Sequence, residues 1–273
     1  MPSGRIISIE SIDDPRIAAY THLKERDLAR EGDRFIAESE MVVRRLLQSK
    51  YRVESVLLTT RRVDEMEPVI HAETIIYTAP SSIVNQILGF KFHSGVMACG
   101  VRGPSPSLAK LTADWGEKDV NLVVCPELSN TENMGSMVRL AAAFGADAMV
   151  LGEQCCDPFY RQSVRVSMGT IFQIPILRSR NLLDDLGNLR RRWGVQLVAT
   201  MLDPSAEPLS EAKRVKRMGF LFGNEAQGLT AAQAAICDRR VVIPMKNGTD
   251  SLNVSVAAGI VLYHFTQYAQ ASA

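Results

Sequence analysis

Apolar and polar positions along this chain alternate in two rhythms. Runs of about four to eight apolar residues between turn residues read as buried strands, and apolar positions three and four apart read as helices. "RFIAESEMVVRRLLQSK" (34–50) sets Met41, Val42, Val43, Leu46 and Leu47 at helical spacing. "RVESVLLTT" (52–60), "ETIIYTAP" (73–80) and "SGVMACGVR" (94–102) read as strands, with "SSIVNQILG" (81–89) a helix opened by a Ser cap. After residue 119 the alternation resumes. "VNLVVCPEL", "DAMVLG", "VQLVAT", "MGFLFG" and "RRVVIPM" are strands. "NMGSMVRLAAAFG", "NLLDDLGNLRRRWG" and "TAAQAAICD" are helices, and "SVRVSMGTIFQIPIL" is a helix running into a strand. A nearly all-apolar helix from Val254 closes the chain. This pattern predicts an α/β fold with a mostly parallel sheet covered on both faces.

One seam interrupts the pattern. "VRGPSPSLAKLTADWGEKD" (101–119) gathers Pro104, Pro106, Gly and Ser before a charged turn. The expected organisation is therefore a small α/β domain over residues 1–105, a linker over 106–118 and a larger α/β domain over 119–273. On this division residues 106–273 should fold without the first part.

Composition narrows the class. Of 273 residues, 46% are apolar and 22% charged, which is ordinary for a globular chain. The net charge of +1 gives no global field for nucleic acid, although a local patch suffices to hold phosphates. Five cysteines form no CxxC pair and no zinc spacing, so they read as reduced thiols of a cytoplasmic protein. The N-terminus lacks the apolar core of a signal peptide, and no run is long enough to span a bilayer. The four histidines do not cluster, which leaves metal chemistry without support. GxGxxG, GxxxxGK[ST], GxSxG and HExxH are all absent.

An α/β sheet binds ligands at the carboxyl ends of its strands. Three loops there are unusually polar. In "PELSNTENMGSMVRLAAAFGA" (126–146), Asn130 and Asn133 precede a helix in which Arg139 is flanked by Met137, Val138 and Leu140. Such an arginine must snorkel or point into a polar cavity, and the apolar surround favours the cavity. In "GNEAQGLT" (223–230), Gly223 and Gly228 bracket Asn224 and Glu225. In "VVIPMKNGTDSLNVSVAAGIVLYHF" (241–265), a small polar stretch separates a strand from the last helix, and Ser251 and Asn253 stand where that helix begins.

Taken together and in this order, the three stretches closely resemble the signature motifs of the SpoU (TrmH-like) family, RNA ribose 2′-O-methyltransferases of the SPOUT superfamily. The resemblance covers about 150 residues of the C-terminal part. More loosely, "DRFIAESEMVVRRLLQSKYRVESVLLT" with "HSGVMACG" resembles the RNA-binding domain often attached to these enzymes. The resemblance implies a SPOUT domain whose C-terminal segment makes a deep trefoil knot, S-adenosylmethionine as cofactor, a homodimer and a ribosomal or transfer RNA substrate. It assigns Arg139 to activating the 2′-hydroxyl and Asn133 to fixing that arginine or the ribose. Glu225 would position partners across the site, and Ser251 and Asn253 would orient the arginine. Cofactor contacts would come from Thr200, Met201, Leu202, Gly223, Asn224, Ile243, Met245, Ser251 and Leu252. One departure stands out: the family's Asn-Pro-x-Asn is Asn130-Thr131-Glu132-Asn133 here. Loss of the proline is expected to loosen the loop, and Glu132 adds a negative charge where RNA would arrive. Two other readings stay open at this stage: a non-catalytic RNA-binding or ribosome-assembly protein on the same scaffold, and a base-modifying SPOUT enzyme.

Overall fold

The structure is a computed structural model, and it describes residues 5–21, 33–88, 93–249 and 251–268. The chain forms two compact units. One comprises residues 1–104 together with 158–173, the other residues 105–157 together with 174–273.

The first unit is built on a five-stranded sheet. Its strands are β1 (Ile6–Ser8), β2 (Arg34–Glu38), β3 (Arg52–Thr59), β4 (Ile75–Ala79) and β5 (Val96–Val101). They lie in the order β1-β4-β3-β5-β2, with β1, β4 and β3 parallel and β5 antiparallel to both its neighbours. The apolar run at 34–50 begins as strand β2 rather than as helix; the helix is Glu40–Leu47. The reason is local. Ser39 adopts φ 80, which breaks the chain direction after Glu38. The sheet then buries Phe35 and Ile36 on opposite faces of β2. Gly100 on β5 makes room for Phe35, since a Cβ there would stand 2.4 Å from its ring.

Residues 158–173 complete this unit. Phe159 and Phe172 lie 5.0 and 5.6 Å from the Phe35 ring, and both also meet Tyr51. The Glu38 carboxylate, only 2% exposed, pairs with Arg161 and reaches Arg165 at 3.9 Å. Arg45 donates to the Met168 carbonyl at 2.6 Å. The pattern at 158–173 reads as part of the larger C-terminal domain; the structure counts it with the first unit.

The second unit holds a seven-stranded, wholly parallel sheet. Its strands are β6 (Val120–Cys125), β7 (Ala148–Leu151), β8 (Ile176–Arg178), β9 (Gln196–Thr200), β10 (Glu207–Pro208), β11 (Arg217–Phe222) and β12 (Arg239–Val242), in the order β10-β12-β9-β11-β6-β7-β8. Every residue of β6 and β7 is buried, as expected of strands covered on both faces. One core layer joins Val120, Leu122, Val124, Val150, Leu197 and Leu221 to Leu182, Leu186 and Leu189 of the helix Leu182–Trp193. Each such buried aliphatic side chain contributes about 1.5–3 kcal/mol. The seam is not an open linker. Its short helix Leu108–Thr112 packs Leu108 and Leu111 on this core, and Trp115 meets Trp193 edge to face at 5.7 Å.

The last helix, Val254–Tyr263, buries Val254, Ala258, Val261 and Leu262. It packs against the helix Thr131–Ala143, where Gly259 faces Leu140 and Tyr263 meets Phe144. His264 is buried just beyond it, its Nε2 2.8 Å from the Ala212 carbonyl. Among the described residues no helix is long and apolar enough to cross a membrane, and no cluster of three metal-binding side chains occurs.

Candidate active site

Strand order reverses direction at β6. From it the chain steps outward through β7 and β8, then returns to build β11, β9 and β12 on the other side. Loops leaving the carboxyl ends of β6 and β11 therefore face one another at the switch point, where open parallel sheets bind ligands.

Asn130 opens the helix Thr131–Ala143. Its side-chain oxygen accepts from the Glu132 and Asn133 N–H groups at 2.8 and 3.0 Å. Thr131 occupies the first helical position, where proline is favoured but not required. The cap bonds close the turn without a proline. Glu132 lies in the first helical turn, where a carboxylate is stabilised by the exposed N–H groups.

Asn133 ties the three polar loops together. Its Nδ2 donates to Glu225 Oε1 at 2.6 Å, and its Oδ1 accepts from Asn253 Nδ2 at 3.0 Å. Asn253 at the same time caps the last helix, its Oδ1 accepting from the Ser255 N–H and hydroxyl at 2.9 and 2.6 Å.

The loop after β11 is tight for a steric reason. Asn224 and Gly228 exchange backbone bonds at 3.0 and 2.9 Å. A Cβ on Gly223 would stand 2.4 Å from the Gly228 carbonyl carbon, so glycine is required there. The Asn224 side chain accepts from Ala226 N–H at 2.8 Å and fixes the turn that presents Glu225. The stretch after β12 folds back at Lys246–Thr249, with Thr249 N–H donating to the Lys246 carbonyl at 3.2 Å. Asn247 and Gly248 both have positive φ, at 59 and 69. This is the two-residue turn that an Asn-Gly pair favours, a signal present in the sequence. Asp250 lies outside the described residues.

Arg139 is not in a polar cavity. It is exposed on the helix Thr131–Ala143 and has no hydrogen-bond or ion-pair partner among the described residues. Asn133 bonds Glu225 and Asn253, and none of these bonds reaches Arg139. Ser251 is likewise exposed and makes no bond to Arg139.

The expected cofactor residues gather at the ends of β9, β11 and β12. Thr200 donates its hydroxyl to the Leu221 carbonyl at 2.8 Å, and Met201 N–H bonds Val241 at 3.1 Å, which ties the three strand ends together. Leu202 and Leu252 remain 58% and 37% exposed, and Ile243 and Met245 are half-buried. Exposed aliphatic side chains beside glycine-rich backbone suit a ligand with flat apolar faces and hydrogen-bonding edges. An adenosyl group is such a ligand, and these residues fit it.

The model of the SpoU rRNA Methylase family matches residues 121–263. A Mycobacterium bovis protein named an uncharacterized tRNA/rRNA methyltransferase is 36% identical, over 93% of this chain and 90% of that protein. The Bacillus subtilis 23S rRNA (guanosine(2553)-2′-O)-methyltransferase RlmP is 28% identical, over 94% of this chain and 98% of its own length. The AdoMet-bound rRNA methyltransferase from Sinorhizobium meliloti has a TM-score of 0.83 at 25% identity, covering 96% of this chain and 97% of that one. Fold and relatives place the chain among the RNA methyltransferases. The chain belongs to the SpoU rRNA methylase family. A non-catalytic RNA-binding protein is thereby set aside.

Proposed function

We propose that this enzyme methylates a ribose 2′-hydroxyl in ribosomal or transfer RNA. The observation that carries this reading is the Asn253–Asn133–Glu225 chain of hydrogen bonds, which joins all three polar loops at the switch point. S-adenosylmethionine, when bound, supplies a methyl group activated by its sulfonium. Thr200, Met201, Leu202, Gly223, Asn224, Ile243, Met245, Ser251 and Leu252 would hold it.

A ribose hydroxyl is a poor nucleophile, and negative charge builds on its oxygen as it attacks. Arg139 is the group we assign to that charge. A guanidinium stays protonated at every working pH, so it stabilises the developing alkoxide and does not act as a base. It is exposed and has no partner among the described residues, which leaves it available to substrate. Asn133, Glu225 and Asn253 hold the loops in register around it, and Ser251 lines the pocket. The first unit would select the RNA, its sheet being the part that resembles an RNA-binding domain.

The family's knot fits the strand order. β11 lies between β6 and β9, β12 lies beyond β9, and the last helix comes back to the helix that follows β6. A homodimer fits the last helix, which leaves Val256, Ile260 and Tyr263 exposed on one apolar stripe. If that stripe is the interface, Ile260→Asp yields a monomer by analytical ultracentrifugation; a dimer that persists contradicts it. We place the enzyme in the cytoplasm, with its RNA.

The test is incubation with methyl-labelled S-adenosylmethionine and bulk ribosomal or transfer RNA from cells lacking this protein. Alkaline cleavage needs a free 2′-hydroxyl, so label in alkali-resistant dinucleotides supports ribose methylation. Label in single nucleotides would mean base methylation and overturn the proposal.

A further inference from the structure

The stretch that delivers Asn130 and Asn133 to the site is braced by the loop that leaves β7. Residues 152–156 run beside residues 125–128. Gly152 N–H donates to the Cys125 carbonyl at 2.9 Å, and Cys156 N–H donates to the Leu128 carbonyl at 2.9 Å. The Cys155 thiol adds a bond to the Cys125 carbonyl at 3.1 Å. Burial pushes that thiol up to about 11, which keeps its proton in place as the donor.

Contact is closest at Gly152. A Cβ there would stand 2.1 Å from the Pro126 carbonyl oxygen, a backbone atom that no side-chain rotation can move away. Pro126 and Leu128 are both buried, so the displaced stretch has no free space to enter.

The brace is itself held from behind. Arg178, on the edge strand β8, donates Nη2 to the Cys155 carbonyl at 2.7 Å. Its own N–H bonds the Ser105 hydroxyl at 2.9 Å. Glu153 accepts from the Leu182 N–H at 3.0 Å. A continuous path of bonds thus runs from Arg178 through residues 152–156 to residues 125–130. From there it passes through the Asn130 cap to Asn133, Glu225 and Asn253. Every member of the path belongs to the second unit.

We infer that Gly152 and Arg178 are positioning residues for methyl transfer: they hold residues 126–130 where Asn133 can bridge Glu225 and Asn253. Neither touches the expected cofactor residues in any described contact. Their effect therefore falls on geometry and not on cofactor affinity. The inference rests on the methyltransferase reading only for its rate measurement.

The test compares Gly152→Ala with the unaltered full-length chain by three readouts. They are the NMR signal of the Asn133 side-chain NH2, S-adenosylmethionine affinity by calorimetry, and label transfer to bulk ribosomal RNA from cells lacking this protein. We expect the NH2 signal to move as its bond to Glu225 is lost, with cofactor affinity nearly unchanged. A misplacement of about 1 Å costs on the order of 100-fold in rate. Arg178→Met keeps an extended stem but loses the donor; it should act in the same direction by about tenfold, with Arg178→Lys recovering part. That pair carries the test if Gly152→Ala does not fold. An unmoved Asn133 signal in a folded variant overturns the inference, and so does a moved signal with an unchanged rate. If the unaltered chain transfers no label to ribosomal or transfer RNA, the proposed activity fails instead, and the Asn133 signal still decides this point.

Discussion

Arg139→Ala is expected to lower methyl transfer about 100- to 1,000-fold, the usual cost of removing a positioned charge-stabilising group. Its affinity for S-adenosylmethionine should hardly change, because the expected cofactor residues sit on the loops after β9, β11 and β12 and none bonds Arg139. Stability should also hold, within about 0.5 kcal/mol, as for exposed positions generally. Arg139 has no partner among the described residues, so its loss strands no buried group there. Arg139→Lys should fall between the two, since an ammonium keeps the charge and loses the planar fork of donors. Calorimetry and label transfer on one preparation check all of this. A folded Arg139→Ala protein that no longer binds cofactor would remove the role assigned here.

The second large effect concerns truncation. A fragment of residues 106–273 is expected to be poorly soluble, although the sequence pattern marks it as a domain. It would keep residues 158–173 and lose what they pack on. Phe159 and Phe172 would lack Phe35 and Tyr51, and Arg161 would lack the buried carboxylate of Glu38. Val164 and Ile171, both wholly buried in the intact chain, belong to the same stretch. Freshly exposed apolar surface of this kind drives aggregation. Dye binding and light scattering on the fragment, compared with the full chain, would measure the effect. A monodisperse, dye-silent fragment would show that residues 158–173 refold onto the second unit instead.

Much of this molecule can be read from its residues, and the failures have physical causes. The parallel sheet of the second unit follows from its apolar runs, because strands buried on both faces carry no alternation that could mislead. Asn133, Glu225 and Asn253 could be named one by one from their loops. Their mutual bonds could not, since Asn133 and Asn253 are 120 positions apart and only the folded sheet brings them together. The apolar sequence neighbours of Arg139 point to a cavity, yet a helix turns its positions by about 100° each, so buried neighbours do not imply a buried residue. Strand β2 hides inside an apolar run continuous with the helix behind it; the break is the backbone at Ser39, a residue that gives no such warning. Residues 158–173 look like any other part of the alternation, and periodicity does not say which sheet a segment will join.

Their position in the chain has a consequence for synthesis on the ribosome. The first unit would ordinarily fold once residue 104 has emerged, but its last structural piece ends at Gln173. At roughly 5–20 residues per second, the wait is roughly 3–14 s. Through that interval Glu38 has no Arg161 and Phe35 no Phe159 or Phe172. A nascent chain at that stage leaves the Glu38 carboxylate without its guanidinium and an aromatic surface open to water, the kind of transiently exposed surface on which chains aggregate.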